Sequence, residues 1–356
     1  MEPEELTAAG VAGEIMDLAV EHCRRGESAQ ALSMLAAIRA QLDPPPALLR
    51  LIEGLEATGC NSPAVATGQA LRVQIGGGWD SNVSQGITAR SLVLGSGDNL
   101  LELELDPSYQ PRSSAFAHAS IDYSATLPAY GLNLQGGVAH RKNDRASAFD
   151  VTTVSAAASR EFALPKGSLR GQVELSEVWL GGVHYQRSQS VAAQWLDTGR
   201  SGALLATLSA TAGQYLTQPS QNSWQLEAGV FGEWRINGAQ SVHAGVSLLR
   251  DNATRTRPGG DRDGFQLQAG GVMLAGGWRF KPHVSYTRWK SAEVFAPGLL
   301  DVQRNNRLTQ VAFQAERPLS AKTSLVLEWR GRRAHDTVAL YTYRAQVLSA
   351  TLARRF

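Results

Sequence analysis

The residues able to do chemistry in this chain are seven histidines, two cysteines and a mixed set of carboxylates and guanidiniums, and their spacing argues against catalysis. The sequence has no Gly-x-Ser-x-Gly elbow, no phosphate-binding glycine loop, no His-Glu-x-x-His and no Cys-x-x-Cys. Those are the arrangements that bring a nucleophile, a phosphate or a metal to its partners. Beyond His22, the histidines His118, His140, His184, His243, His283 and His335 fall on separate segments. Strands near His118 or His243 could imitate the wall-mounted Ser/His pair of a lipid-cleaving barrel, but no supporting motif accompanies them. The expectation is a protein that is not an enzyme and uses no cofactor and no metal. Cys23 and Cys60 lack metal-site spacing and companion ligands; they are either a disulfide closed in an oxidising compartment or two buried thiols of a helical module.

Charges that alternate with apolar residues are more informative. Leu101, Leu103 and Leu105 interleave with Glu102, Glu104 and Asp106, and Leu169, Val173 and Leu175 with Arg170, Gln172 and Glu174. Trp224, Leu226, Ala228, Val230 and Trp234 interleave with Gln225, Glu227, Gly229, Glu233 and Arg235, and Leu325, Leu327 and Trp329 with Ser324, Glu328 and Arg330. A period of two puts the apolar set on one face of a strand and the polar set on the other. By this parity Glu102, Glu104, Asp106, Asp122, Arg141, Arg170, Glu174, Glu227, Glu233, Arg235, Arg279, Lys281, Glu328, Arg330 and Arg332 share the polar face. Two uses remain open for them: lining a hydrated passage, where mixed charge suits a polar polymer or an unfolded polypeptide, or pairing with one another to fill the interior.

The pattern runs from Gly68 to the last residue with no helical interruption. Each segment can supply the ~9–11 residues that cross a bilayer as a tilted strand, more than the ~5–6 usual in soluble sheets. Only a closed barrel leaves no unpaired edge in lipid. Compact turns at Leu127–Gly131, Leu164–Gly167, Asn237-Gly238, Ala275-Gly276-Gly277 and Pro318–Lys322 mark every second junction. The other junctions are expected to include long polar loops, around Asp251–Asp263 and Ser291–Asn306. The sequence therefore predicts a mainly β chain: a transmembrane antiparallel up-and-down barrel over residues 68–356 with about 16 strands. The count becomes 14 if the hairpin at Thr88–Leu94, turned at Gly95-Ser96-Gly97-Asp98, lies outside the wall. Trp179, Trp195, Trp234, Trp278 and Trp329 are expected in interfacial girdles, with Trp289 on the opposite face as a candidate for stacking on sugar rings. The final strand ends on Phe356, which resembles the terminal signal read by the outer-membrane assembly machinery.

Bulk properties agree with this reading. The chain has 356 residues, a net charge of +2, 43 % hydrophobic residues, 35 glycines, 8 tryptophans and 8 tyrosines, and a mean hydropathy of −0.20. Near-neutrality gives no reason to expect a nucleic-acid partner, and an averaged hydropathy hides a barrel because lipid-facing and lumen-facing residues alternate. Met1 is followed by Glu2, Pro3, Glu4 and Glu5, the opposite of a signal-peptide start; the barrel reading implies that such a peptide once preceded this sequence.

Residues 9 to about 59 follow a helical period instead, with Val11, Ile15, Leu18 and Ala19, then Ala31, Leu32, Leu35 and Ile38, then Leu48, Leu49, Ile52 and Leu55 on successive faces,. Gly26 and Asp43-Pro44-Pro45-Pro46 divide them,. The stretch Gly26-Glu27-Ser28-Ala29-Gln30-Ala31-Leu32 resembles the second half of a tetratricopeptide repeat. Residues 1–62 are thus expected to form a small α-helical module in the periplasm, able to dock a protein partner.

The first strand ends Gly76-Gly77-Gly78-Trp79-Asp80-Ser81-Asn82. A glycine-rich strand ending in an aromatic residue and Asp80, Ser81 and Asn82, after a repeat-like helical segment, resembles the surface lipoprotein assembly modifier group. That resemblance implies transfer of a polypeptide, a surface protein or lipoprotein, across or into the outer membrane of a Gram-negative cell. Its partners would be outer-membrane lipid, the barrel-assembly machinery and the translocated chain. The helical part is much shorter than the repeat arrays of that group. An exopolysaccharide export porin and an anchoring barrel with a filled lumen are the alternatives. The asparagine and aspartate side chains are expected to bond their own backbone and stop the strand.

Overall fold

The computed structural model describes residues 69–356 except 97, 98, 128, 129, 200 and 238, together with 28–41 and the single positions Met16, Ala19 and Ile52. It divides into two units, Met1–Gly68 and Gln69–Phe356.

In the first unit one continuous helix is described, α1 (Ser28–Gln41). Its Leu35 and Ile38 are fully buried in a cluster with Met16, Ala19 and Ile52, and Leu32 and Met34 pack against it. Helical spacing explains this: Ala31, Leu35 and Ile38 recur every three or four residues and share one face. The expected tetratricopeptide-like pairing is not seen among the described residues, which give one short helix. Cys23, Cys60 and the proline run at 44–46 lie outside them.

The second unit consists of strands β1 (Ala70–Asp80), β2 (Ser91–Ser96), β3 (Asn99–Glu104), β4 (Ser114–Leu127), β5 (Leu132–Asn143), β6 (Val151–Ala163), β7 (Ser168–Leu180) and β8 (Val183–Gly199), and then β9 (Gly202–Tyr215), β10 (Ser223–Asn237), β11 (Gln240–Ala253), β12 (Arg262–Ala275), β13 (Trp278–Ala296), β14 (Leu300–Pro318), β15 (Thr323–Asp336) and β16 (Tyr343–Arg355). Fourteen of them, β1 and β4 to β16, close an antiparallel barrel in which β1 pairs with both β4 and β16. The expected count of about 16 is corrected to 14 because β2 and β3 pair only with each other. Six residues each, they are too short to cross a bilayer,.

Turns at one end are uniformly short, at 128–131, 164–167, 200–201, 238–239, 276–277 and 319–322. The other end carries the 81–113 connection with the β2–β3 hairpin, and loops at 144–150, 216–222, 254–261 and 337–342. The polar stretch expected to be a loop at Ser291–Asn306 is instead a hairpin. β13 and β14 run on to a tight turn at 297–299, and pairing slips at bulges as they leave the wall, where Val294 meets Gln303 and Ala296 meets Leu300. Strand pairing satisfied the backbone there, so a polar composition did not make a loop.

The wall has the polarity of a membrane barrel. Large apolar side chains point outward on every wall strand and stay exposed, among them Ile75 (63 %), Leu208 (61 %) and Leu248 (67 %). Such a continuous apolar exterior is stable in lipid and not in water. No described helix is long and apolar enough to cross a membrane. Trp195, whose indole N–H donates to the Lys166 carbonyl at 3.2 Å, lies at the short-turn end with Trp234 and Trp278, and Trp79, Trp179 and Trp224 at the other. Trp329 departs from the girdle expectation: it lies halfway along β15, opposite Phe313 and Leu348.

Closure depends on glycine. A Cβ on Gly76 or Gly78 would run into the carbonyl oxygen of Ala350 or Leu348 across the β1–β16 contact. Gly78→Val is expected to destabilise the folded barrel by about 1–3 kcal/mol, read as a lower midpoint of the heat-dependent electrophoretic shift in detergent. An unchanged midpoint would show that β16 can retreat without loss.

Candidate functional site: lumen and closing seam

The interior is built by parity. On β1 the residues Arg72, Gln74, Gly76, Gly78 and Asp80 oppose Arg355, Ala353, Thr351, Ser349 and Val347 of β16 and Asp122, Ser120, His118, Phe116 and Ser114 of β4. Carrying the register around the ring puts the polar set of every wall strand on the lumen side.

The predicted lumen residues sort into three levels. Near the short-turn end, Asp122 and Glu174 line a cavity of about 330 Å³ with Arg72, Gln135, Gln172 and Arg355. Next, Arg141, Arg279, Lys281, Glu328 and Arg330 line one of about 550 Å³ with Arg72, His118, Glu316 and Arg355. At the long-loop end Arg332 lines one of about 420 Å³ with Asp80, Asn82, Tyr185 and Tyr343. Glu227, Glu233 and Arg235 share the inward parity of β10 with Phe231, which lies over Gly245 of β11. Arg170 also faces inward and donates to Ser159 Oγ at 2.8 Å. Glu102, Glu104 and Asp106 are not on the wall: the first two are on β3 and the third follows it. Alternation there reports a hairpin outside the barrel. The Ser108 hydroxyl and amide hold the Asp106 carboxyl below its ordinary range.

The missed residues are as telling. Arg72, Glu316 and Arg355 belong to the same cavities, and their parity was readable from Leu71-Arg72-Val73-Gln74 and from the last strand. What parity could not reveal is segregation. The arc from β13 through β16 and β1 to β5 gathers Arg72, Arg141, Arg279, Lys281, Arg330 and Arg355 around one cavity, against only Glu316 and Glu328. Lys281 Nζ lies 3.2 Å from Glu316, and Arg330 contacts Glu328. Opposite strands carry Glu161, Glu174, Glu227 and Glu233, set against Arg170 and Arg235. Trp289 shares the inward parity of β13 and is half-buried. Arg262 lies 5.4 Å from its ring centroid, and its ring occupies the space a side chain on Gly264 would need. Among the described residues no group of histidine, cysteine and carboxylate side chains is arranged to hold a metal ion.

The tripeptide Asp80-Ser81-Asn82 does more than end a strand. Asp80 Oδ1 accepts the Asn82 amide at 2.9 Å, the expected local turn, while its Oδ2 accepts Arg141 of β5 at 2.9 Å. Ser81 donates its amide to the Gln346 carbonyl at 2.9 Å, and its hydroxyl accepts the Gln346 amide at 2.7 Å. Asn82 is 2 % exposed; its Nδ2 donates to the carbonyls of Gly86 and Arg344 at 2.8 and 2.9 Å, and its Oδ1 accepts the Gly86 amide at 2.7 Å. Three consecutive residues thus tie the first strand to β16 and β5 at the long-loop end. At the other end the Phe356 amide donates to the Leu71 carbonyl at 2.9 Å.

No family model and no curated protein matches the sequence. Among solved structures, an outer membrane channel from Pseudomonas putida F1 is similar at 11 % identity, covering 82 % of this chain and 96 % of that one with a TM-score of 0.42. An anion-selective porin from Comamonas acidovorans is similar at 10 % identity, covering 81 % and 99 % with a TM-score of 0.42. The outer membrane channel DcaP of Acinetobacter baumannii is similar at 8 % identity, covering 82 % and 98 % with a TM-score of 0.44. Closure and register of the wall, and not these likenesses, carry the fold.

Asn82→Ala removes buried hydrogen bonds to Gly86 and Arg344 and leaves their backbone groups unpaired. The expected cost is about 1–3 kcal/mol, measured as a fall in the urea midpoint of the refolded chain. Ser113→Ala, at an exposed position of the same 81–113 connection, is the control and should change it little.

Proposed function

We propose that this chain is an outer-membrane channel with a hydrated lumen that passes polar solutes and favours anions. The observation that carries this is the basic arc: six guanidinium or ammonium groups line one cavity of about 550 Å³, against two carboxylates. Arg279 and Arg330 stay 52 % and 41 % exposed although each contacts a carboxylate, Glu316 and Glu328, and among the described residues Arg72 and Arg355 form no ion pair. Charge of one sign along a wall raises the local concentration of the opposite ion, and a barrel of this size encloses room for water. The reading is one of passage and not of catalysis, with the short-turn end toward the periplasm as in other membrane barrels. The helical unit is proposed to dock a periplasmic protein, and Phe356 to serve recognition by the barrel-assembly machinery.

Transfer of a polypeptide, the function implied by the resemblance to the lipoprotein assembly modifier group, is a narrower version of the same reading. The stitched β1–β16 contact weighs against release through the wall and confines that version to movement along the lumen.

The test is ion selectivity of the purified chain in a planar bilayer under a salt gradient. The reversal potential should indicate chloride preference, and the Lys281→Glu, Arg330→Glu double variant should move it toward potassium. A closed lumen, or a wild-type channel selective for cations, would sink the anion reading.

A further inference from the structure

The outer face of the wall carries a feature that neither the lumen nor closure uses. On β13 the outward set runs Trp278, Phe280, Pro282, Val284 and Tyr286, then changes to Arg288 and Lys290. On β14 it runs Phe313, Val311 and Thr309, then Arg307; on β15 Leu327, Trp329 and Gly331, then Arg333 and His335; on β16 Leu348 and Gln346, then Arg344. Four neighbouring strands switch from apolar to basic at one level, toward the long-loop end.

Within this belt like charges face each other. Arg288 is the direct cross-strand partner of Arg307, and Arg333 of Arg344. Side chains directly opposite on one face lie about 5 Å apart at Cβ, and like charges there are destabilising. Among the described residues no carboxylate forms an ion pair with Arg288, Lys290, Arg307, Arg333 or Arg344. Arg288 donates only to the neutral Asn305 side chain, at 3.1 Å. On the opposite side of the barrel the corresponding outward base, Arg187, is matched by Glu177 at 2.8 Å. Lys290 faces Asp263 of β12 across the strands, whereas Arg288, Arg307, Arg333 and Arg344 have no carboxylate as a direct cross-strand partner.

We infer that this belt binds a phosphorylated lipid headgroup from the leaflet at the long-loop end, with two or more phosphates shared between the paired arginines and acyl chains lying on the apolar wall below. Guanidinium is suited to phosphate because its planar fork donates two parallel hydrogen bonds. The position at the boundary of the apolar band is where headgroups lie, and directly beneath it the outward surface has a groove of about 730 Å³ lined by Ala269, Pro282, Val284, Val311, Phe313 and Trp329. Phosphate alone would use the belt; only a lipid would use belt and groove together. The inference rests on the reading of the barrel as membrane-spanning.

The test uses the full chain refolded in detergent, its folded state checked by the heat-dependent electrophoretic shift and by channel conductance. Native mass spectrometry would compare retention of lipid A, a bisphosphorylated glycolipid, with retention of phosphatidylcholine. Wild type should retain lipid A selectively, in the presence of millimolar inorganic phosphate. The Arg307→Gln, Arg333→Gln, Arg344→Gln variant should lose that retention by at least about tenfold with the shift and conductance unchanged. Arg317→Gln, at the short-turn end, should behave as wild type. Equal retention by wild type and the triple variant, loss of lipid A to inorganic phosphate, or no preference over phosphatidylcholine in a folded, conducting chain would each overturn the lipid site. A chain that neither shifts nor conducts would instead overturn the membrane reading on which it rests.

Discussion

A β-strand in hydrocarbon cannot leave an edge unpaired, because each orphaned backbone group there costs several kcal/mol and no water is present to take its place. In this chain that requirement falls on one contact. Every other wall strand meets neighbours that are close in sequence, but β1 must find β16 at the far end of the chain. The contact is built accordingly. Nine residue pairs from Arg72 and Arg355 to Asp80 and Val347 form the ladder, two glycines let the strands approach closely, and side chains or terminal backbone secure both ends.

Closure has consequences inside. Asp80, fixed at the top of the seam, holds Arg141 of β5, and Arg141 lies 3.9 Å over the Phe116 ring. Two wall strands beyond the seam are thereby tied to it, and the guanidinium is held where it borders both the upper and the middle cavities. At the lower end Arg72 and Arg355 are cross-strand partners. Such a pairing of like charge is offset by Asp122 and Glu174, which line the same cavity.

The same arc of wall is basic on both faces, with Arg279, Lys281, Arg330 and Arg332 inside and Arg288, Lys290, Arg307, Arg333 and Arg344 outside. Period-two geometry makes this possible without conflict. Successive side chains leave opposite sides of the sheet, so the inner and outer basic sets do not meet and each answers to its own surroundings. The mouth loops use charge differently. Asp251 takes Arg257 and Arg262 in a site where Arg257 and Asp251 are almost fully buried, which folds the 254–261 loop back on its own strands.

How much of this was readable in advance follows from the range of the interactions involved. Alternation is local, and it revealed the wall strands, the outward apolar set, the compact turns, and Asp122, Arg141, Glu174, Lys281 and Arg330 as lumen residues. Helical spacing likewise picked out Ala19, Leu35, Ile38 and Ile52, which meet in one small core. Local patterns cannot say which strand a segment pairs with. For that reason Glu102 and Glu104 read as wall residues although β3 pairs only with β2, and the polar 291–306 stretch read as a loop although it is strand. Asp80-Ser81-Asn82 was legible as a turn, because Asp80 bonds the amide two residues on. Its grip on Gln346 and Arg344 was not, since those partners stand more than 260 residues away. What the sequence determined alone is which face each side chain takes, because that depends on a period of two. Which charges gather into one arc, inside and out, was decided only by register around a closed ring.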